Sequence, residues 1–159
     1  MSQAKGRYFN KPVARQSNRS VYAPKIILVE GPDDIWFFDA LLADMGVPSS
    51  AVQIIDYEGK NQIARTLSSL LSSDAVETRA VAAIAIIQDA DGDHGSAVKN
   101  TIEACAASGL DAPPFGDFAE SKNFPGVNIG AFTLPDNASS GDLDSMLYET
   151  AANDQVYPL

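Results

Sequence analysis

The stretch Ile84–Asp93, reading IAIIQDADGD, joins an apolar run, Val81–Ile87, directly to three carboxylates at alternate positions, Asp89, Asp91 and Asp93. A run this short and this rich in Ile and Val cannot cross a bilayer and fits a strand buried on both faces of a parallel sheet. The chain passes at once from that run into acid and glycine. The carboxylates are therefore expected at the strand's C-terminal edge, where ligands bind in open α/β sheets.

Three carboxylates so close together repel one another, and a hard cation is the usual compensation. Mg²⁺ suits such a place, because it binds one or two carboxylates and keeps waters for a phosphate to displace. A calcium loop of the EF-hand type is excluded. Its sixth position needs Gly and is His94, its twelfth needs Glu and is Asn100, and a strand precedes it instead of a helix. The plain alternative for a lone Asp-x-Asp is a solvated strand-to-helix turn, and a second acidic strand end elsewhere in the chain weighs against it.

That second end lies at Ile26–Val29, an apolar run closed by Glu30-Gly31-Pro32. A tight turn at Gly31 and a helix opening at Pro32 are expected, with Asp33 and Asp34 in a first turn that favours acids. Ile35, Phe38, Leu41, Leu42 and Met45 recur at helical spacing, and Trp36 and Phe37 widen the apolar face. The spacing predicts a heavily buried helix whose aromatics belong to the core. Val52–Ile55 reads as a further strand, and Asn61–Ser72 as a helix with Ile63, Leu67, Leu70 and Leu71 inward. Lys60 and Asn61 would then stand at a helix N-terminus, a natural place for phosphate. Ser96–Ser108 reads as a helix, Leu110–Gly126 as an irregular loop, Val127–Leu134 as a fourth strand and Asp142–Ala152 as a last helix. His94 is expected in an exposed loop.

Composition bounds the rest. The 159 residues suffice for one α/β domain, and 45% apolar with 20% charged side chains is ordinary for a soluble protein. No signal peptide or membrane span is legible, so the expectation is a cytoplasmic protein with no membrane partner. Cys105, the single cysteine, reads as a small buried hydrophobe. The net charge of −10 speaks against a protein that coats nucleic acid, but its distribution is uneven. Residues 1–25 carry Lys5, Arg7, Lys11, Arg15, Arg19 and Lys25 and no acid, whereas the remainder holds 5 basic and 21 acidic side chains. The division expected is a basic, flexible arm over residues 1–25 ahead of one domain over residues 26–159.

Ile27-Leu-Val-Glu-Gly-Pro-Asp-Asp34 and Ile86-Ile-Gln-Asp-Ala-Asp91 resemble the two signature motifs of the TOPRIM domain, shared by topoisomerases, bacterial primases and overcoming-lysogenisation-defect nucleases. The Glu-Gly-x-x-Asp form is most similar to the nuclease branch and its small stand-alone relatives, over about Lys25–Thr150. The resemblance implies a compact, TOPRIM-like and hence Rossmann-like α/β domain, its mostly parallel four-stranded sheet flanked by helices. It implies Mg²⁺, with Mn²⁺ as the alternative ion, on Asp89 and Asp91, and Asp34 in the metal shell. Glu30 is implied as general acid/base or a further metal ligand. The small relatives carry Gly-x-Leu-Glu after the last strand. Here Gly141-Asp-Leu-Asp144 is one methylene shorter, and Asp144 takes the position of a further metal contact. Asp93 completes the acidic set. Two metals ~3.5–4 Å apart can stabilise both the attacking and the leaving oxygens of phosphodiester cleavage.

The function expected is thus a metal-dependent phosphodiesterase or nuclease acting on nucleic acid, with Glu30, Asp89 and Asp91 catalytic and Lys60 and Asn61 on phosphate. The alternative is a non-catalytic module of the same fold that binds a metal, a nucleotide or a protein. A separately encoded ATPase or a second copy of the chain is the partner implied in either case.

Overall fold

The computed structural model describes residues 20–77 and 80–152, so most of the basic arm expected over residues 1–25 lies outside the described residues. Its last part is packed. Tyr22 donates its N–H to Gln53 Oε1 at 3.1 Å, the Gln53 amide donates back to the Ser20 carbonyl at 3.2 Å, and Ala23 is buried.

The chain runs β1 (Lys25–Val29), α1 (Pro32–Asp44), β2 (Val52–Asp56), a 3-10 turn (Lys60–Gln62), α2 (Ile63–Leu71) and α3 (Asp74–Glu77). It continues through β3 (Ala83–Asp89), α4 (His94–Ala107), β4 (Ala119–Glu120), β5 (Asn128–Leu134) and α5 (Leu143–Ala152). The sheet order is β2-β1-β3-β5-β4, the first four strands parallel and β4 antiparallel to β5. From β1 the chain moves to β2 on one side and then returns past β1 to β3 on the other. With right-handed crossovers, that reversal sends α1 to one face of the sheet and α2 and α4 to the opposite face.

The two cores follow this division. Under α2 and α4 lie Ile26, Leu28, Ile55, Ile84, Ile86 and Ile129, closed by Ile63, Leu67, Leu70 and Cys105 from the helices. On the α1 face, Val29, Val52 and Ile54 meet Ile35, with Ile27, Phe38, Leu42 and Ile87 partly buried around them. Cys105 is fully buried and its thiol is pushed up to about 12 by burial, as a core hydrophobe requires. Among the described residues, no helix is long and apolar enough to cross a membrane.

Three expectations are corrected. The sheet has five strands, not four: β4 sits inside the segment Leu110–Gly126 that the sequence assigns to irregular loop. Two residues are too few to show an alternating pattern. The segment is organised instead by Asp111, whose Oδ2 accepts from Ser121 Oγ at 2.9 Å and from the Lys122 N–H at 2.7 Å. Next, β3 is not buried on both faces. Ile84, Ile86 and Gln88 are buried under α4, whereas Ala83, Ala85 and Ile87 are half-exposed, because α1 covers β1 and β2. For the same reason α1 is not heavily buried. Ile35 is its one buried apolar residue, and Trp36 and Met45 are 56% and 66% exposed.

Gly130 lets the 110–126 segment close over β5. A Cβ there would collide with the Asp117 carbonyl oxygen and press on the Phe118 ring. Gly130→Ala is therefore expected to lower stability by ~1–3 kcal/mol, the usual cost of overpacking. A urea titration of the two chains checks it, and an unchanged midpoint would contradict this packing.

Candidate active site at the ends of β1 and β3

β1 and β3 pair directly and in parallel, with Leu28 opposite Ile86, so Glu30 stands level with Gln88 and one residue from Asp89. Both lie at the C-terminal edge, at the point where the strand order reverses. Asp89 is the last residue of β3 itself, since the strand runs two residues beyond the apolar stretch. Gln88 faces α4 and accepts the Thr101 hydroxyl at 2.7 Å, a buried pair that fixes the neighbouring strand end.

Glu30 is half-buried, and its Oε2 is buried with no hydrogen-bond partner among the described residues. Burial raises its carboxyl above the ordinary range; Lys60 opposes the rise, and Asp89 and Asp34 add to it. Asp34, in the first turn of α1, is only 8% exposed and accepts the Gly31 N–H at 3.0 Å. It too is raised, first by burial, against the pull of that hydrogen bond. The Asp89 carboxyl is pushed up to about 6 by burial, with Asp34 and Asp142 adding to the effect. Lys60 and a hydrogen bond from the Leu143 N–H at the start of α5 hold it back. Tyr57 lies beneath this group, fully buried, its hydroxyl donating to the Ile87 carbonyl at 3.0 Å. Burial and then Glu30, Asp89 and Asp34 raise its phenol well above the ordinary value, so it stays a neutral donor.

The other sequence candidates take different places. Asp91 is exposed, left-handed at φ 48°, and its N–H donates to the Gly141 carbonyl at 2.6 Å. Its carboxylate pairs with the Lys60 ammonium. Asp93 faces solvent and caps α4, accepting the Ser96 N–H at 3.2 Å and the Ser96 hydroxyl at 2.6 Å, which lower its carboxyl. Asp144 is exposed in the first turn of α5. Asn61 is exposed within the 3-10 turn that precedes α2. His94 opens α4 half-buried, its Nε2 without a partner among the described residues, and is not in an open loop.

Two contributors are not evident from the motifs. Asp142 acts on Asp89, because the Asp91–Gly141 hydrogen bond draws the start of α5 against the end of β3. Its carboxylate accepts the Ser145 N–H at 2.8 Å and hydroxyl at 2.7 Å, which lower it; the Asp-x-x-Ser spacing of a helix cap was the available signal. Tyr57 carried no signal beyond being an aromatic just past a strand.

Among the described residues, no three His, Cys, Asp or Glu side chains stand in an arrangement that could hold a metal ion. Mg²⁺ asks for less, one or two carboxylates with waters completing an octahedron. Glu30 and Asp89 meet that demand: both are hard oxygen donors, both are raised by burial, and one oxygen is buried and unpartnered.

The profile of a family described as a protein of unknown function, DUF3226, matches residues 24–158, and the chain belongs to that family. No curated protein and no solved structure matches the chain at a significant level.

The raised carboxyls make stability depend on pH in a definite direction. Asp89 keeps its proton to about pH 6 in the folded chain, against 3.8 as its ordinary value. Folded protein therefore binds more protons than unfolded between about pH 4 and 6, and stability falls as pH rises through that window. With chelator present, melting temperatures taken from pH 4 to 7 should decline. Asp89→Asn should flatten the decline and melt higher at pH 7. A wild-type curve that rises over this window would contradict the burial of these carboxyls.

Proposed function

We propose that this DUF3226 chain is a TOPRIM-type, metal-dependent phosphodiesterase acting on nucleic acid. The observation that carries the reading is the pairing of Glu30 and Asp89. Two half-buried carboxylates end adjacent parallel strands at the topological switch point, with one buried oxygen unpartnered. Glu30 and Asp89 would hold Mg²⁺ or Mn²⁺, with waters completing the shell. A divalent ion bound there supplies a Lewis acid for the phosphoryl oxygen and lowers the pKa of a coordinated water.

The chain's own residues supply the rest. Glu30 is the proton-transfer group: its raised carboxyl suits it to take a proton from the attacking water and return it to the leaving oxygen. Asp34, locked to the Gly31 N–H, and Asp89, held by the Leu143 N–H, are oriented acceptors whose positions do not depend on substrate. Lys60 is the cation at hand for a non-bridging phosphate oxygen. Asp91, Asp93 and Asp144 are left out of this assignment, the first because it is exposed and paired with Lys60, the second because its carboxylate caps α4 and the third because it is exposed.

A second reading, a non-catalytic module that binds metal, nucleotide or a partner such as an ATPase, is favoured by one observation. The body around the site is acidic, and Lys60, the cation acting on both Glu30 and Asp89, is already paired with Asp91.

The two readings part in a cleavage assay on plasmid DNA, single-stranded DNA and RNA with Mg²⁺, Mn²⁺ or chelator. Metal-dependent cleavage is expected, abolished by Asp89→Ala. Glu30→Gln should lose ~10²–10⁴-fold in rate and lose less in metal affinity than in rate, because an amide oxygen can still coordinate but cannot exchange the proton. A wild-type chain that binds the ion yet cleaves none of the three would support the binding module instead.

A further inference from the structure

We infer that Lys60 is a resident counter-ion, which a divalent cation must displace from Asp91 to enter the carboxylate site. This rests on the metal-site reading above and adds to it the residue that sets the cost of entry.

The placement of Lys60 is built by the backbone. Tyr57 is clamped across the sheet, its N–H donating to the Val29 carbonyl at 2.8 Å and its hydroxyl to the Ile87 carbonyl at 3.0 Å. Glu58 at φ 61° and Gly59 at φ 104° then reverse the chain, and the Gly59 N–H donates to the carbonyl of Glu30 itself at 3.2 Å. On the far side the Lys60 carbonyl accepts the Asn100 side-chain amide of α4 at 3.3 Å. Lys60 is thus tied by one neighbour to the first acidic strand end and by its own carbonyl to the helix that follows the second. Asp91 is fixed as well, its N–H tied to Gly141. Two anchored backbones present opposite charges to each other over the same group of carboxylates.

The magnitude of the pair makes displacement feasible. The Lys60 and Asp91 side chains are 36% and 50% exposed, and ion pairs so open to water contribute little to stability. One ammonium also leaves a negative excess, since Lys60 acts on Glu30 and Asp89 while paired with Asp91. A divalent ion brings twice the charge to the same place. The ammonium repels it until the pair opens and Lys60 moves aside. An open Asp91 also leaves the Lys60 ammonium available to an anion beside the metal.

Calorimetric titration of Mn²⁺ and of Mg²⁺ into the chelator-stripped full chain tests this without reference to activity. Lys60→Met removes the charge and is expected to tighten binding about tenfold, the scale of a unit charge facing a divalent ion through water. It should also melt below wild type in chelator and recover with the ion. Lys60→Gln carries the same test should the Met variant fold poorly. Lys60→Arg, which keeps the charge, should return the affinity to the wild-type value and so separate charge from side-chain packing. Equal or weaker binding by the neutral variants, with clear binding by wild type, overturns the role of Lys60 and leaves the metal site standing. Absence of divalent binding in every chain overturns both.

Discussion

The parallel pairing of β1 with β3 is the constraint from which the rest follows. It sets side by side two strand ends that both terminate in a carboxylate, and the strand order reverses there, so no helix fills the gap. Like charges brought together in a half-buried place destabilise the fold, and the surroundings show how that cost is distributed. Asp34 has the Gly31 N–H, Asp89 has the Leu143 N–H, and Lys60 lies over the group. Among the described carboxylates, Glu30 alone retains an oxygen that is buried and without a partner. A chain under no functional demand could place an amide at Glu30 or Asp89 and relieve the repulsion. Local conflict of this kind inside an otherwise consistent fold is the pattern expected of a functional site.

The acids divide by what their carboxylates already do. Asp93 and Asp142 both cap helices, and their hydrogen bonds lower their carboxyls, which makes them poor partners for a proton and structural parts of α4 and α5. Glu30, Asp34 and Asp89 are shifted the other way by burial. The division follows from position along the chain. A carboxylate just outside a helix start can bend back to its N–H groups, whereas one at a strand end faces the edge of the sheet. Asp142 still reaches Asp89 through its field, because α5 is drawn in by the Asp91–Gly141 bond. A capping acid therefore tunes a strand-end acid without touching its chemistry.

Much of this was legible in the residues. Glu30-Gly31-Pro32 and Gln88-Asp89 each follow a β-rich apolar run and precede a helix, so a shared edge follows from crossover topology alone. What escaped was tertiary. The helical spacing of Ile35, Phe38 and Leu42 gives the inner face of α1 correctly but says nothing of how wide a sheet that helix must cover. Met45 reads as inward by that spacing and Trp36 by widening the apolar face, yet both are exposed, since an apolar side chain need not be buried. β4 is a two-residue pairing held by Asp111 and by the bare backbone of Gly130, and neither signal is periodic. Within the acidic motifs, spacing could not separate Asp91 and Asp93, because an alternating Asp-x-Asp-x-Asp is the same string whether an acid caps a helix, pairs with a lysine or waits for a metal.

Neutralisation by a proton is the simplest rival to neutralisation by a cation, and the numbers weigh against it. Two carboxyls that interact strongly can share one proton, and then one of them stays acid-like at neutral pH. Asp89 is raised only to about 6, so at pH 7 roughly nine molecules in ten have lost that proton. The opposing influence of Lys60 on both Glu30 and Asp89 keeps either from rising further. Asp89 is therefore mostly ionised at pH 7, beside the single ammonium of Lys60. A carboxyl held as a neutral acid would need the lysine removed and a drier pocket. What the arrangement provides instead is negative charge, hard oxygens and an orphaned acceptor, the features on which the proposed divalent cation would draw.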